Sequence, residues 1–327
     1  MNKPQILVCR AVFPETLQRL ASQFDVEANQ DDTLFTPVQL AAKLQGKQGA
    51  FTTGSERISA ELLAACPDLK ICANMAVGYN NFDVPAMTAR GVWATNTPGV
   101  LTETTADFGF ALMMATARRI TESEHYLRAG HWKNWRFDQF AGSDVHGSTL
   151  GILGMGRIGQ AIARRGALGF GMQVIYHNRS RLDAATEAEC KARYVSKEAL
   201  LKTADHLVLV LPYSAQAHHT IGAAELAQMK SSATLTNIAR GGIVDDAALA
   251  TALRSGQIAA AGLDVFEGEP KVHPDLLALS NVVLTPHIAS SSTPTRLAMA
   301  NLAADNLLDF FSGKTPRTSV NTVPAAA

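Results

Sequence analysis

Three segments of the chain carry charged or ionisable side chains just beyond short apolar runs of the kind that form buried strands. They span residues 237–242, 262–270 and 284–288, and contain Arg240, Glu269 and His287. In open parallel α/β sheets, ligands bind outside the carboxyl ends of the strands. These three segments are therefore expected to converge on one site.

The three side chains have complementary abilities. The planar guanidinium of Arg240 matches a carboxylate and is always charged. His287 can give and recover a proton near neutrality, while a Glu269 carboxylate on its second ring nitrogen would favour the protonated ring and orient it. Taken singly, Arg240 could be an ordinary surface charge and His287 an ordinary structural histidine. Together they predict protonation of a carbonyl on an anionic substrate, with Asp264 as a supporting group.

A glycine-rich turn lies between a predicted strand and a predicted helix, and its residues are Gly154, Met155, Gly156, Arg157, Ile158 and Gly159. In this context the first glycine allows a tight turn, the second lets the backbone approach a pyrophosphate, and the third lets helix and strand pack closely. The alternative is a glycine-rich turn without a ligand. The flanking strand and helix favour a dinucleotide, and hence hydride transfer to a 2-oxo acid.

The loop after the second strand of this unit indicates which dinucleotide is bound. NAD-binding proteins place an acidic residue about 20 positions after the glycines, but this loop reads Asn178, Arg179, Ser180 and Arg181. Two guanidiniums and a hydroxyl suit a 2′-phosphate, so NADP is the predicted cofactor and NAD the second choice. A solvated basic loop is the alternative.

The composition is that of a globular protein of two-domain size. The chain has 327 residues, of which 47% are hydrophobic, and its 29 basic residues balance 29 acidic ones. This balance argues against a nucleic-acid partner, and the first apolar run, residues 6–9, is too short for a signal peptide or a membrane span. No CxxC pair occurs among the four cysteines. We therefore expect no disulfides and no metal site, and a cytoplasmic location.

Strand and helix patterns alternate in two blocks, which predicts an α/β fold with parallel sheets. Helix starts are indicated at Thr36-Pro37 and by caps at Ser59 and Asp83. An unbroken run over residues 102–130 predicts one long helix bridging two domains, and residues 293–311 predict another. The predicted strands are residues 6–9, 49–52, 69–75, 150–153, 173–176, 206–211, 233–238, 259–265 and 282–285.

The motifs at residues 154–159, 237–242, 262–270 and 285–288 resemble those of the D-2-hydroxyacid dehydrogenase family. Within it they are most similar to the glyoxylate/hydroxypyruvate reductases, including the bacterial 2-ketogluconate reductases. The resemblance covers essentially the whole chain. It implies a flavodoxin-like substrate domain formed by residues 1–101 and 289–327, with an inserted Rossmann dinucleotide-binding domain at residues 102–288.

The resemblance also implies roles for individual residues. The catalytic set of the family falls on Arg240, Glu269 and His287, and its substrate loop places the backbone amides of Val77 and Gly78 on the substrate carboxylate. Gly78 could instead serve only a turn.

Two further positions follow from the same resemblance. Thr105 matches a cofactor-contacting position, and Asp264 is also expected to contact the cofactor. The alternative for Thr105 is a threonine that only packs its helix against a neighbour. The family forms homodimers through its Rossmann domains, and Trp132 resembles a residue that reaches the partner's active site. Trp132 and Trp135 could otherwise be ordinary core or interface aromatics.

Two other functions share this architecture. Formate dehydrogenase has glutamine where this chain has Glu269, and a neutral amide cannot hold a protonated histidine in the same way. Dinucleotide-sensing corepressors keep the three catalytic residues but act as scaffolds, and turnover of hydroxypyruvate would separate an enzyme from such a scaffold.

Overall fold

The computed structural model describes residues 3–323, and the chain divides into two compact units. Unit 1 consists of Met1–Leu101 and Ser292–Ala327, and unit 2 of Thr102–Ser291. These units divide the chain after residues 101 and 291, whereas the sequence analysis places its two functional domains on either side of residues 101 and 288. Both units are α/β, which confirms the predicted fold class.

Unit 1 contains a five-stranded parallel sheet in the order β2-β1-β3-β4-β5. Its strands are β1 (Gln5–Val8), β2 (Asp25–Ala28), β3 (Gly49–Thr52), β4 (Ile71–Asn74) and β5 (Trp93–Thr95). Its helices are α1 (Pro14–Gln23), α2 (Pro37–Leu44), α3 (Ala60–Ala65), α4 (Val84–Ala89) and the carboxyl-terminal α13 (Thr293–Phe311).

Local signals set the helix starts of unit 1. The Thr36 side chain accepts a hydrogen bond from the amide of Gln39, whose own side chain accepts from the amide of Thr36. The Ser59 and Asp83 side chains each accept one hydrogen bond, from the amides of Leu62 and Ala86, at the starts of α3 and α4. These caps are those predicted from the sequence, and each satisfies amides that the first helical turn leaves without a partner.

Unit 2 contains a seven-stranded parallel sheet in the order β12-β11-β10-β9-β6-β7-β8. Its strands are β6 (Thr149–Leu153), β7 (Gln173–His177), β8 (Ala192–Tyr194), β9 (His206–Leu209), β10 (Thr234–Asn237), β11 (Ala260–Leu263) and β12 (Val282–Leu284). Its helices are α5 (Thr102–Ala117), α6 (Ile120–Arg128), α7 (Arg157–Arg164), α8 (Ala184–Glu189), α9 (Lys197–Thr203), α10 (Ala223–Leu226), α11 (Asp246–Arg254) and α12 (Pro274–Leu277).

The prediction of one long helix over residues 102–130 was wrong. The chain forms α5 and α6, and between them Arg119 adopts a left-handed conformation with φ 53°. The amide of Ser143 donates to the carbonyl of Ala117 at 2.9 Å. A carbonyl that would otherwise continue the helix is thus used by a crossing segment, and the helix ends there.

Within the described residues, no helix is both long and apolar enough to cross a membrane.

Candidate active site

The glycine turn between β6 and α7 has the geometry that its sequence predicts. Gly154 has φ 104°, and a Cβ added there would lie 2.7 Å from the backbone nitrogen of Leu211. A Cβ on Gly159 would lie 2.4 Å from the carbonyl oxygen of Gly154. Larger side chains are therefore excluded at both positions, because the clashing atoms are backbone.

The open side of this turn fits a dinucleotide pyrophosphate. A Cβ on Gly156 would meet nothing within 4 Å, and the amides of Gly156, exposed Arg157 and half-buried Ile158 donate to no described residue. Free amides at a helix N-terminus attract anions. The Oγ1 of Thr105 is also buried without a hydrogen-bond partner among the described residues, a polar atom that a bound cofactor could satisfy.

The turn is tied to the end of β7 by Asn178. Its Oδ1 accepts a hydrogen bond from the buried Met155 amide at 2.6 Å, and its backbone carbonyl accepts from the hydroxyl of Tyr194 at 3.2 Å. The Asn178 oxygen therefore holds the turn in place. In the predicted 2′-phosphate site, Asn178 would hold the turn, and its uncharged side chain would not repel a phosphate.

The structure corrects the role of Arg181. Its guanidinium forms two hydrogen bonds with Glu187, at 2.9 and 2.7 Å, and Glu187 also accepts from Tyr176 at 2.7 Å. Burial raises the pKa of Tyr176 to about 12, so this hydroxyl remains a donor. Arg179 and Ser180 are exposed and have no partner among the described residues. They are the groups of this loop that remain free for a phosphate.

His287 and Glu269 form a hydrogen-bonded pair. The Nδ1 of His287 lies 2.8 Å from Oε2 of Glu269, and the amide of Phe266 donates to the other carboxylate oxygen at 2.9 Å. Burial by itself would raise the pKa of Glu269, but the hydrogen bond and charge of His287, the Phe266 amide and the charge of Arg240 together lower it. Because the carboxylate is ionised, Nδ1 donates, and Nε2 remains for a substrate.

Asp264 holds the loop that carries His287. This carboxylate is fully buried and accepts from the Thr285 hydroxyl at 2.8 Å, from the Ile288 amide at 2.8 Å and from the Ala289 amide at 2.9 Å. Burial raises its pKa against the opposing effect of these bonds. The predicted supporting role fits this geometry, and the predicted cofactor contact of Asp264 stays a prediction. His287 itself has φ 54°, a conformation that costs energy in most residues and is common at functional sites.

Arg240 lies in the turn that follows β10, and Asn237 braces this turn. The Asn237 Oδ1 accepts from the Ala239 amide at 3.0 Å, and its Nδ2 donates to the Arg240 carbonyl at 3.3 Å. A Cβ on Gly241 would lie 1.7 Å from the carbonyl oxygen of Phe266. The turn therefore lies directly against the segment that carries Glu269.

The guanidinium of Arg240 is partly engaged and partly free. Its Nη1 donates to the Ala239 carbonyl at 2.8 Å, while Nε and Nη2 donate to no described residue. Burial lowers the pKa of this arginine, and the charge of Glu269 opposes that shift. The free edge of the guanidinium is suited to a carboxylate or a carbonyl oxygen.

The predicted substrate loop in unit 1 presents its amides and anchors its carbonyls. The Val77 carbonyl accepts from Asn96 at 2.8 Å and the Gly78 carbonyl from Asn74 at 3.0 Å, whereas the amides of Val77 and Gly78 donate to no described residue. This is the arrangement that a carboxylate ligand needs. The sequence analysis did not include Asn74 and Asn96. Their positions at the ends of β4 and β5 could have indicated that they support the substrate loop.

Trp132 and its neighbours are not core residues of this chain. Trp132 is 54% exposed, Trp135 75% and Phe137 92%. They lie in the irregular segment after α6. An aromatic cluster with this exposure is typical of an interaction surface.

Comparison with known proteins places the chain in a family. Residues 110–289 match the family described as D-isomer specific 2-hydroxyacid dehydrogenase, NAD binding domain. A glyoxylate reductase of Thermococcus onnurineus is 46% identical over 98% of this chain and 96% of its own length. Another glyoxylate reductase, from Aeropyrum pernix, is 47% identical over 98% of this chain and 97% of its own length.

A solved structure shows the same fold. The NADPH-dependent glyoxylate/hydroxypyruvate reductase of Sinorhizobium meliloti, crystallised with NADP and malonate, superposes with a TM-score of 0.87 and 36% identity, covering all of both chains.

The chain belongs to the D-isomer specific 2-hydroxyacid dehydrogenase family. It is an oxidoreductase of the 2-hydroxyacid dehydrogenase type, and its Rossmann domain is the part that matches the NAD binding domain of the family.

Proposed function

We propose that this protein is an NADPH-preferring reductase that converts glyoxylate and hydroxypyruvate, and also 2-ketogluconate, to D-2-hydroxy acids. The observation that carries the proposal is the His287–Glu269 pair, which leaves Nε2 of the histidine available, while the charge of Arg240 acts on the same Glu269 carboxylate. The names of the most similar relatives support glyoxylate as a substrate.

In the proposed reaction, a bound nicotinamide dinucleotide supplies the hydride that reaches the carbonyl carbon. The amides of Val77 and Gly78 bind the substrate carboxylate, and Arg240 binds and polarises the substrate. His287 donates the Nε2 proton to the carbonyl oxygen as charge develops there. Glu269 stabilises the protonated ring before that transfer and orients it throughout.

A panel of 2-oxo acids tests the proposed activity. Glyoxylate, hydroxypyruvate and 2-ketogluconate are incubated with NADPH and with NADH, and oxidation of the cofactor is followed by absorbance. We expect turnover of glyoxylate and hydroxypyruvate at kcat/KM values typical of enzymes, about 10⁴ M⁻¹s⁻¹ or more, and measurable turnover of 2-ketogluconate. Binding of the cofactor without turnover of any 2-oxo acid would instead favour the dinucleotide-sensing scaffold.

The cofactor preference is expected to depend on Asn178 and Arg179. The double substitution Asn178→Asp with Arg179→Ala should lower the NADPH-to-NADH ratio of kcat/KM by about tenfold or more, because one charge-assisted bond contributes on the order of 1.5–3 kcal/mol. An aspartate keeps an acceptor for the Met155 amide, so the turn should stay intact. It also adds a negative charge that repels a phosphate. The ratio is measured with hydroxypyruvate.

Two single substitutions serve as controls for this loop. Arg193→Ala removes an exposed guanidinium from the neighbouring strand β8 and should leave the ratio unchanged. Arg181→Ala breaks the pair with Glu187 and should change the ratio less than Arg179→Ala does. Equal kcat/KM values for the two cofactors in the unmodified protein would show that the loop is only a solvated basic turn.

Glu269→Gln is expected to lower the pH above which kcat/KM for reduction begins to fall. The lowered pKa of Glu269 keeps its charge present across the neutral range, and that charge favours the protonated imidazole over the neutral one. The amide carries no charge, so the loss of kcat/KM at high pH should begin at a lower pH. Profiles of kcat/KM against pH for both proteins measure the shift, and superimposable alkaline limbs would remove Glu269 from its role.

We propose that the protein is a homodimer in which the exposed segment around Trp132 is covered, with Trp132 near the partner's substrate site. Trp135 and Phe137 are 75% and 92% exposed, and covering such large apolar side chains in an interface would lower the free energy of the dimer. Light scattering at micromolar concentration should give the mass of two chains, and Trp135→Ser with Phe137→Ser should lower it. A monomer mass for the unmodified protein would contradict the proposal.

The location that we propose is the cytoplasm. The four cysteines are free and buried, and burial raises the pKa of Cys66 and Cys190, as suits thiols that stay reduced.

A further inference from the structure

A second group of ionisable side chains lies on unit 2, apart from the residues assigned above. His218, His219 and Glu267 each offer a ligand atom, and these atoms all lie within 4.8 Å of one another. The two histidines follow β9 and the glutamate follows β11. We propose that these three residues bind a divalent transition-metal ion of the zinc, cobalt, nickel or copper class.

The two imidazole rings face one carboxylate. Nε2 of His219 lies 2.9 Å from Oε2 of Glu267, and Nε2 of His218 lies 3.9 Å from Oε1 of the same group. The rings are stacked, with centroids 3.8 Å apart and 21° between their planes. An ordinary surface ion pair would need only His219, whereas here a second ring nitrogen is held beside the same carboxylate.

Outer partners leave these nitrogens available. The hydroxyl of Tyr213 lies 3.3 Å from Nδ1 of His218, and Oδ2 of Asp245 lies 3.8 Å from Nδ1 of His219. In histidine metal sites, a polar group on the second ring nitrogen orients the ring and fixes the tautomer that binds the ion. Tyr213 is such a group for His218, and the Asp245 carboxylate lies on the corresponding side of His219, away from Glu267.

Backbone contacts bring the three loops together. The His219 amide donates to the Gly242 carbonyl at 2.7 Å, and the Glu267 amide donates to Asp246 at 3.1 Å. The donor atoms are thus brought together by a folded frame and not by long flexible side chains. The ligand side chains are 35–45% exposed, so an ion can enter and water can complete its coordination.

The donor set decides the class of ion. Two imidazole nitrogens with one carboxylate suit zinc and its neighbours in the first transition row. Magnesium and calcium prefer oxygen ligands and should not compete at equal concentration. The same loop carries Glu267 and Glu269, so an ion at this site would also stiffen the segment behind the catalytic pair.

Direct titration of metal into the full-length protein, prepared without a histidine tag, tests this site. Co²⁺ is added and its visible absorbance followed, and Zn²⁺ binding is measured by calorimetry. We expect one saturable ion per chain and a rise in Tm with Zn²⁺. His219→Ala and Glu267→Gln should each weaken the apparent Kd at least about tenfold and reduce the rise in Tm.

Two matched variants separate this site from others. His125 is 81% exposed and lies 3.9 Å from Glu124, a histidine beside a carboxylate without the cluster, so His125→Ala should bind Co²⁺ as the unmodified protein does. His287→Asn should also leave the titration unchanged, because it alters only the catalytic pair. Loss of binding in His287→Asn, unchanged binding in both ligand variants, or no saturable binding would overturn the proposal. Its outcome does not depend on whether the protein reduces 2-oxo acids.

Discussion

Replacing His287 with alanine is expected to lower kcat for reduction of hydroxypyruvate by at least about 100-fold, the lower end for loss of a general acid. The Nε2 of this ring is the proton donor that the structure leaves available, because Nδ1 is held by Glu269 at 2.8 Å. A water molecule could donate the proton in its place, but water is not held in the geometry that the reaction needs. Steady-state rates at neutral pH with saturating cofactor measure the effect.

A second substitution makes this result specific. His287 has φ 54°, which alanine tolerates poorly and asparagine tolerates well. His287→Asn should therefore keep the loop in place and lose the same activity, with dinucleotide affinity, measured by fluorescence titration, unchanged. Turnover close to that of the unmodified protein in either variant would remove His287 from the reaction.

Replacing Arg240 with alanine is expected to lower kcat/KM for 2-oxo acids by 100-fold or more. Its free Nε and Nη2 can donate two charge-assisted hydrogen bonds to a substrate, each contributing on the order of 1.5–3 kcal/mol. A loss of about 3 kcal/mol corresponds to a factor of more than 100. KM should rise as well as kcat fall, because the substrate is bound by the same group that polarises it.

Arg240→Lys distinguishes charge from shape. Lysine keeps the positive charge beside Glu269 but lacks the planar fork, so we expect it to recover only part of the lost kcat/KM. The thermal unfolding midpoint of each variant should be compared, because the Arg240 Nη1 also bonds the Ala239 carbonyl. Activity of Arg240→Ala equal to that of the unmodified protein would contradict the assignment.

The strands that the sequence did not predict share one position in the fold. β2, β5 and β8 all lie at sheet edges, and β2 has no buried residue. An apolar run is the signal for a strand that neighbours cover on both sides. An edge strand needs no such run, so the periodicity of β2 could not distinguish it from a loop.

The order of motifs along the chain was enough to place Arg240, Glu269 and His287 at neighbouring strand ends, because parallel strands bring those ends to one edge. The order of motifs could not show which polar side chains of the loops already have hydrogen-bond partners within the protein. Arg181 pairs with Glu187 only because α8 brings that carboxylate back over the loop. Asp264 bonds groups that lie 21 to 25 residues further along the chain. The spacing of the cysteines likewise gave no reason to expect the cluster of His218, His219 and Glu267, in which His219 and Glu267 are 48 residues apart in the sequence.

The division of unit 1 between two stretches of chain matters for synthesis on the ribosome. β1 and β3 emerge early, but one face of their sheet packs against Ala300, Ala303 and Leu307 of α13, which are translated after all of unit 2. Unit 2 is one continuous stretch and can complete its sheet as it leaves the exit tunnel. Until α13 has been made, only early residues such as Leu20 and Phe24 can cover Ile6 and Phe51 on this face, so a chaperone that shields apolar segments would act on the residues that were made first.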